Sequence, residues 1–176
     1  MDILSFHFYY LDKKVMDPSV DLYNRLKEVD ELCEEFNPDL KMAITEYGWA
    51  VNVYPTSPQM QLDDFIKTMA IFKSIPRIEY TFWYEYQDSG ISMYDKERNF
   101  GLVEYWERET PYAAKPIYCG SALFNKVIGN APLADYIENN GTYIYRFENN
   151  SSGKGSMILW AEDKHEYVTL NLGCDS

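Results

Sequence analysis

The sequence has few cysteines, few basic residues and no long hydrophobic run. Its three cysteines, Cys33, Cys119 and Cys174, are odd in number and widely spaced, so they form neither a disulfide framework nor a metal motif. Lysine and arginine number 16 against 28 acidic residues, which gives a net charge of −12. Nucleic acids and anionic membranes bind basic surfaces, so we expect neither as a partner. No apolar run approaches the ~20 residues of a transmembrane helix.

Aromatic residues, by contrast, are abundant. They make up 16% of the 176 residues and include sixteen tyrosines and four tryptophans. Hydrophobic residues reach 46%, which is enough for a packed core in one domain with a small second one. An aromatic excess is typical of a large core, an interface or a carbohydrate platform, and composition alone does not separate these three.

Apolar patterns along the first 128 residues predict strands that alternate strictly with helices. Strands are predicted near residues 2–9, 41–46 and 78–84, and helices near 18–36, 58–73 and 115–128. This order indicates an α/β fold with a parallel sheet and helical crossovers. In such sheets the functional site lies at the C-terminal ends of the strands.

Each predicted strand ends in residues that suit sugar chemistry. The first ends in His7 and Tyr9, the second in Glu46 with Trp49 close behind, and the third in Trp83. A carboxylate can attack an anomeric carbon, and aromatic rings can stack on a sugar. The structural alternative is a solvated glutamate before a turn, with His7 and Tyr9 at the margin of the core.

After residue 130 the pattern changes. Segments 142–148, 156–161 and 166–172 read as strands, and Asn139-Asn140-Gly141 and the polar run 149–155 are turn signals. We therefore predict two regions, an α/β domain over residues 1–130 and a small antiparallel β-domain over 131–176.

The motifs of residues 1–128 resemble the C-terminal half of the clan A retaining glycoside hydrolases, the cellulase-like and β-xylosidase-like TIM barrels. The matching motifs are Ser-Phe-His-Phe-Tyr at 5–9, Ile-Thr-Glu-Tyr-Gly-Trp at 44–49, Phe-Trp-Tyr-Glu-Tyr at 82–86, Phe-Gly-Leu-Val at 100–103 and Lys-Pro-Ile-Tyr at 115–118. The resemblance implies that the three strands are strands six to eight of a (β/α)8 barrel. The β-region that follows is similar to the β-domain appended to several of these families.

The resemblance also implies a role for each candidate residue. Glu46 matches the catalytic nucleophile, while His7 and Tyr9 match the pair that binds the substrate and the nucleophile. Trp83 matches the aromatic under the sugar, and Trp49 is a further substrate-binding candidate. No cofactor or metal is implied, and the implied partner is a carbohydrate substrate.

One part of the family pattern is missing. Clan members carry the general acid/base as a glutamate, usually after an asparagine, on the fourth barrel strand, and no Asn-Glu strand end occurs here. Retaining hydrolysis needs two carboxyl groups ~5–5.5 Å apart. We therefore expect a fragment that is inactive alone, whose partner would be the N-terminal half of the barrel. The alternative is a non-catalytic carbohydrate-binding or relic fragment. Sugar specificity and cellular location stay open.

Overall fold

The computed structural model describes residues 2–9, 19–52, 56–149 and 154–161. In the first region, strands and helices alternate as the sequence predicts. They are β1 (Ile3–His7), α1 (Ser19–Phe36), β2 (Lys41–Tyr47), α2 (Pro58–Ser74), β3 (Ile78–Trp83) and α3 (Pro116–Val127), with a 3₁₀ turn at Lys96–Arg98.

The three strands form one parallel sheet in the order β1-β2-β3. The alternating pattern therefore predicted the strand direction correctly. Met42 and Ile44 of β2 are fully buried beneath the helices. The opposite face is more open, since Tyr80 and Phe82 of β3 are 49% and 55% exposed.

The helices follow from caps and apolar stripes in the sequence. Ser57 caps α2 by accepting the Met60 amide at 3.2 Å, and Pro58 occupies the first turn, where its missing N–H costs nothing. Leu22 and Leu26 of α1 and Ile117 of α3 are fully buried, as their spacing predicts. Cys33 is buried in α1, whereas Cys119 is exposed on α3. Of the helices described, none is long and apolar enough to span a bilayer.

The second region is an antiparallel sheet of β4 (Leu133–Asn139), β5 (Thr142–Asn149) and β6 (Lys154–Ala161). Strands β5 and β6 match the sequence prediction, whereas β4 was not predicted. The tight turn between β4 and β5 uses positive φ angles at Asn140 and Gly141, which explains the Asn-Gly signal. The strand predicted at 166–172 lies outside the described residues.

This second sheet packs on the helices of the first region. Tyr143, Tyr145 and Phe147 of β5 belong to the same hydrophobic cluster as the helical residues and β2. The Tyr23 ring of α1 lies 5.3 Å from the Tyr136 ring of β4, centroid to centroid. The two sheets therefore share one continuous core.

Candidate active site

A register shift at the end of β2 decides which way its last residues face. Phe6 of β1 pairs with Ile44, but the next residue, His7, pairs with Glu46, so Thr45 is an extra residue on β2. The pairing of β2 with β3 shifts over the same stretch. Side chains alternate along a strand, and Ile44 faces the helices, so an unshifted strand would turn Glu46 towards the helices as well. The extra residue reverses this, so that Glu46 joins His7 and Tyr47 turns to α2.

Glu46 consequently lies beside the two polar residues that end the first strand. The Tyr9 hydroxyl donates to Glu46 Oε1 at 2.5 Å. His7 Nδ1 is 3.3 Å from Glu46 Oε2, and the Glu46 side chain is 30% exposed. The backbone joins them too, since the Phe8 amide donates to the Glu46 carbonyl at 3.2 Å. The three side chains therefore lie together, and the Glu46 carboxylate is held by two partners while it stays open to solvent.

The electrostatics at Tyr9 keep it a hydrogen-bond donor. Partial burial raises the pKa of the Tyr9 phenol well above its usual value, and the hydrogen bond and charge of Glu46 raise it further. The phenol therefore stays neutral over the ordinary pH range. A neutral donor lying 2.5 Å from one carboxylate oxygen fixes the rotamer of Glu46.

Two aromatic residues that the sequence did not single out complete the surroundings of Glu46. Tyr84 follows β3. Its pKa is raised by the charge of Glu85, by burial and by the charge of Glu46, in that order. The buried Phe100 ring lies edge-on to both tyrosines, with its centroid 6.2 Å from that of Tyr9 and 5.4 Å from that of Tyr84. Phe100 thus packs against both Tyr9 and Tyr84.

Trp83 occupies a different position from the one expected of a sugar platform. Its ring lies edge-on to Tyr47 at 5.8 Å and to Phe65 of α2 at 5.4 Å. Its indole N–H donates to the Phe100 carbonyl at 3.2 Å. Thr81, two residues earlier on the same face of β3, contacts Met69 of α2. Trp83 therefore packs towards the helices, and this geometry does not support a platform role for it.

Trp49 lies in the loop after β2 and is partly buried. Its carbonyl accepts from the Gln61 side chain at 2.8 Å, and the same amide reaches the Phe100 carbonyl at 3.2 Å. Gln61 is fully buried, so it ties the loop after β2 to the loop after β3.

A buried ion pair organises the long loop after β3. Asp88 Oδ1 accepts from Lys115 Nζ at 2.6 Å and from the Gly101 amide at 2.8 Å. Both charged side chains are almost inaccessible, and burial lowers the pKa of Lys115. Burial and the Asp88 charge raise the pKa of nearby Glu85. These contacts fix residues 100–101 and hence the Phe100 ring.

Among the residues that the structure describes, no cluster of histidine, cysteine and carboxylate side chains could hold a metal ion. No protein-family model matches the sequence, and no curated protein is significantly similar to it. Solved structures are similar to this chain at the level of the fold. A family 39 glycoside hydrolase from Bacteroides cellulosilyticus WH2 is 21% identical with a TM-score of 0.63, over 79% of this chain and 27% of that chain. The chain has a glycosidase-like fold.

Two further solved structures agree with this assignment of the fold. A β-glucuronidase from Faecalibacterium prausnitzii is 16% identical with a TM-score of 0.53, over 72% of this chain and 22% of that one. A family 1 β-glucosidase from Exiguobacterium antarcticum B7 is 13% identical with a TM-score of 0.50, over 71% of this chain and 34% of that one. The chain thus spans between 22% and 34% of the length of these three glycosidases.

Within this glycosidase-like fold, sequence patterns had pointed to His7, Tyr9 and Glu46 but missed Tyr84 and Phe100. Phe100 belongs to the Phe-Gly-Leu-Val motif, so a signal for it existed. Tyr84 follows Trp83 directly and lies beyond the end of β3. Because Thr81 faces α2, alternation places Trp83, two residues later, on the helix side as well.

Proposed function

We propose that this chain is part of a retaining β-glycosidase and that Glu46 is its catalytic nucleophile. The observation that carries the proposal is the Glu46 carboxylate at the end of a parallel strand, 2.5 Å from the Tyr9 hydroxyl and 3.3 Å from His7. The glycosidase-like fold supports it, because in parallel α/β folds the catalytic residues lie at this end of the strands.

In this proposal β1, β2 and β3 are strands six, seven and eight of a TIM barrel. The sheet has the parallel order β1-β2-β3 that consecutive barrel strands require. Tyr80 and Phe82 are about half exposed on the face away from the helices, as expected of side chains that point into a barrel interior. The remaining strands belong to an N-terminal half of the barrel, which is the partner that we propose for this chain.

The reaction that we propose is a double displacement. Glu46 attacks the anomeric carbon, a carbon–oxygen bond forms to its carboxylate, and the bond to the leaving oxygen breaks. A general acid on the N-terminal half of the barrel protonates that oxygen and then deprotonates the water that hydrolyses the glycosyl-enzyme. Tyr9 and His7 hold the Glu46 carboxylate in its attacking rotamer.

Substrate contacts in this proposal come from aromatic residues near Glu46. Tyr84 is the better candidate for stacking on the sugar, because its ring packs on the same Phe100 ring as Tyr9, whereas Trp83 packs against Phe65. Trp49 and His7 remain candidates for contacts to sugar hydroxyls. The panel of sugars in the test below distinguishes neutral from acidic substrates.

The test compares two proteins on aryl β-glucosides, β-xylosides and β-glucuronides. We expect no turnover from the 176-residue chain alone, because it lacks the general acid, which is typically worth ~10²–10⁴-fold in rate. A complete barrel containing this chain should turn over at least one of these substrates with retention of configuration. Robust turnover by the isolated chain, or inversion by the complete barrel, would contradict the proposal. Sugar binding without turnover by the complete barrel would favour a non-catalytic module.

A further inference from the structure

We propose that Asp64 and Thr68 of α2 are positioning residues for Glu46 and that they act through the Tyr47 hydroxyl. Together with Tyr47 they hold the end of β2 in its register, and we call these three residues the register lock. This inference rests on the proposed function only because it takes Glu46 as the nucleophile. Both residues are buried on α2, in the helix layer beneath the sheet.

The lock consists of one phenol and two buried partners. The Tyr47 hydroxyl lies 3.0 Å from each Asp64 carboxylate oxygen, to which it donates, and 3.0 Å from Thr68 Oγ1. Tyr47, Asp64 and Thr68 are 1%, 4% and 0% exposed. Burial and then the Asp64 charge raise the pKa of Tyr47 well above its usual value, so the phenol remains a donor. Since its proton goes to Asp64, the Thr68 hydroxyl donates to the phenol oxygen.

Tyr47 follows Glu46 directly, and successive side chains of a strand point to opposite faces. A Tyr47 held in the helix layer therefore turns Glu46 to the other face. This is the orientation that the extra residue at Thr45 permits. If β2 slipped back to strict alternation, Tyr47 would leave α2 and Asp64 would lose the hydrogen bond that the Tyr47 hydroxyl donates to it in the core. A hydrogen bond to a charged group contributes ~1.5–3 kcal/mol, so its loss penalises the slipped register.

Apolar packing alone does not supply this selectivity. The Tyr47 ring lies edge-on to Phe72 of α2 at 5.4 Å, a contact that a phenylalanine ring would also make. The Tyr47 hydroxyl adds hydrogen bonds with Asp64 and Thr68 that form in only one register. Buried polar pairs fix the register of other proteins in the same way.

A second contact extends the lock to the partner of Glu46. The Tyr47 and Tyr9 rings are stacked, with centroids 6.3 Å apart and planes 21° apart. Tyr9 in turn donates to Glu46 Oε1. The Tyr47 ring thus orients Glu46 through the backbone, and it also packs against Tyr9, the hydrogen-bond donor of Glu46.

The experiment uses the 176-residue chain and needs no activity. Tyrosine is labelled with ¹³C at Cζ, and the Tyr9 signal is assigned with Tyr9→Phe. Glu46→Gln gives the signal of Tyr9 without the carboxylate. The double variant Tyr47→Phe/Asp64→Leu removes the phenol and the carboxylate together, so that the Asp64 charge is not left buried without the Tyr47 donor. Tyr145→Phe, at a fully buried tyrosine of β5, is the matched control.

We expect the folded double variant to move the Tyr9 signal at least half of the way to its position in Glu46→Gln, while Tyr145→Phe leaves it unchanged. A folded double variant with Tyr9 at its native position would overturn the lock. Should the double variant fail to fold, Tyr47→Phe removes the hydroxyl alone and keeps the ring, and an unchanged Tyr9 signal in folded Tyr47→Phe would overturn it as well. A Tyr9 signal that Glu46→Gln does not move would instead refute the Tyr9–Glu46 contact on which the proposed function rests.

Discussion

The Tyr9 hydroxyl lies 2.5 Å from Glu46 Oε1, although 37 residues separate them along the chain. Parallel pairing of β1 with β2 brings them together, and the extra residue at Thr45 turns the carboxylate towards the phenol. The contact joins the Tyr9 phenol, whose pKa is raised, to the Glu46 carboxylate, whose side chain is still 30% exposed. A carboxylate that is fixed in direction and open to solvent is what a displacement at carbon requires.

Replacing Tyr9 by phenylalanine should slow the complete barrel without unfolding it. A hydrogen bond to a charged group contributes ~1.5–3 kcal/mol, so we expect kcat to fall about 10- to 100-fold. The ring and its contact with Phe100 are retained, and the melting temperature should change little. Tyr86→Phe, at a 66% exposed tyrosine, is the matched control. An unchanged kcat in Tyr9→Phe would show that the phenol does not orient the nucleophile.

Gly48 allows the end of β2 to approach the loop that follows β3. A Cβ built at Gly48 would lie 2.0 Å from the Tyr84 carbonyl oxygen and 2.9 Å from Phe100 Cδ1. Because the first clash is with backbone, we expect Gly48→Ala to lower the free energy of unfolding by about 2–3 kcal/mol. A Cβ at Gly155 has its nearest neighbours at 3.7 Å, so Gly155→Ala is the control. Chemical denaturation measures both, and equal stability of the two variants would contradict the close packing around Phe100.

Glu85 should make stability depend on pH. Its pKa is raised in the folded protein, first by burial and then by Asp88, so the folded state keeps this proton to higher pH than the unfolded chain does. Stability therefore falls as pH rises from the ordinary glutamate range through the raised pKa. Glu85→Gln should match the native chain at low pH and be more stable at neutral pH. Thermal melts at several pH values test this, with the exposed Glu107→Gln as control; a difference independent of pH would refute it.

The parallel sheet could be predicted because each strand and helix carries its own periodic apolar pattern. Strand β4 escaped prediction because Asp135 and Glu138 break the apolar run, and the strand depends on pairing with β5. The register shift at Thr45 also escaped, since it depends on the contact of Tyr47 with Asp64 on a helix later in the chain. No local pattern encodes such a contact between distant segments.

At two of the three strand ends the sequence predicted side chains that lie together in the structure, and at the third it predicted Trp83. His7, Tyr9 and Glu46 meet as predicted because parallel strands end at one edge of the sheet. Trp83 was expected beside the sugar, but alternation along β3 directs it to Phe65 of α2. The loop residues Tyr84 and Phe100 could not be placed, because buried contacts of Asp88 and Gln61 determine the path of that loop.

The most direct test of the central claim is covalent trapping of the nucleophile. An activated 2-deoxy-2-fluoro β-glycoside of the preferred sugar is incubated with the complete barrel, and the labelled peptide is identified by mass spectrometry. We predict a single glycosyl ester on Glu46 and no labelling of Glu46→Gln, which keeps the side-chain shape but removes the nucleophile. A label on another carboxylate, or undiminished labelling and turnover in Glu46→Gln, would contradict the account and leave Glu46 as an ordinary carboxylate at a strand end.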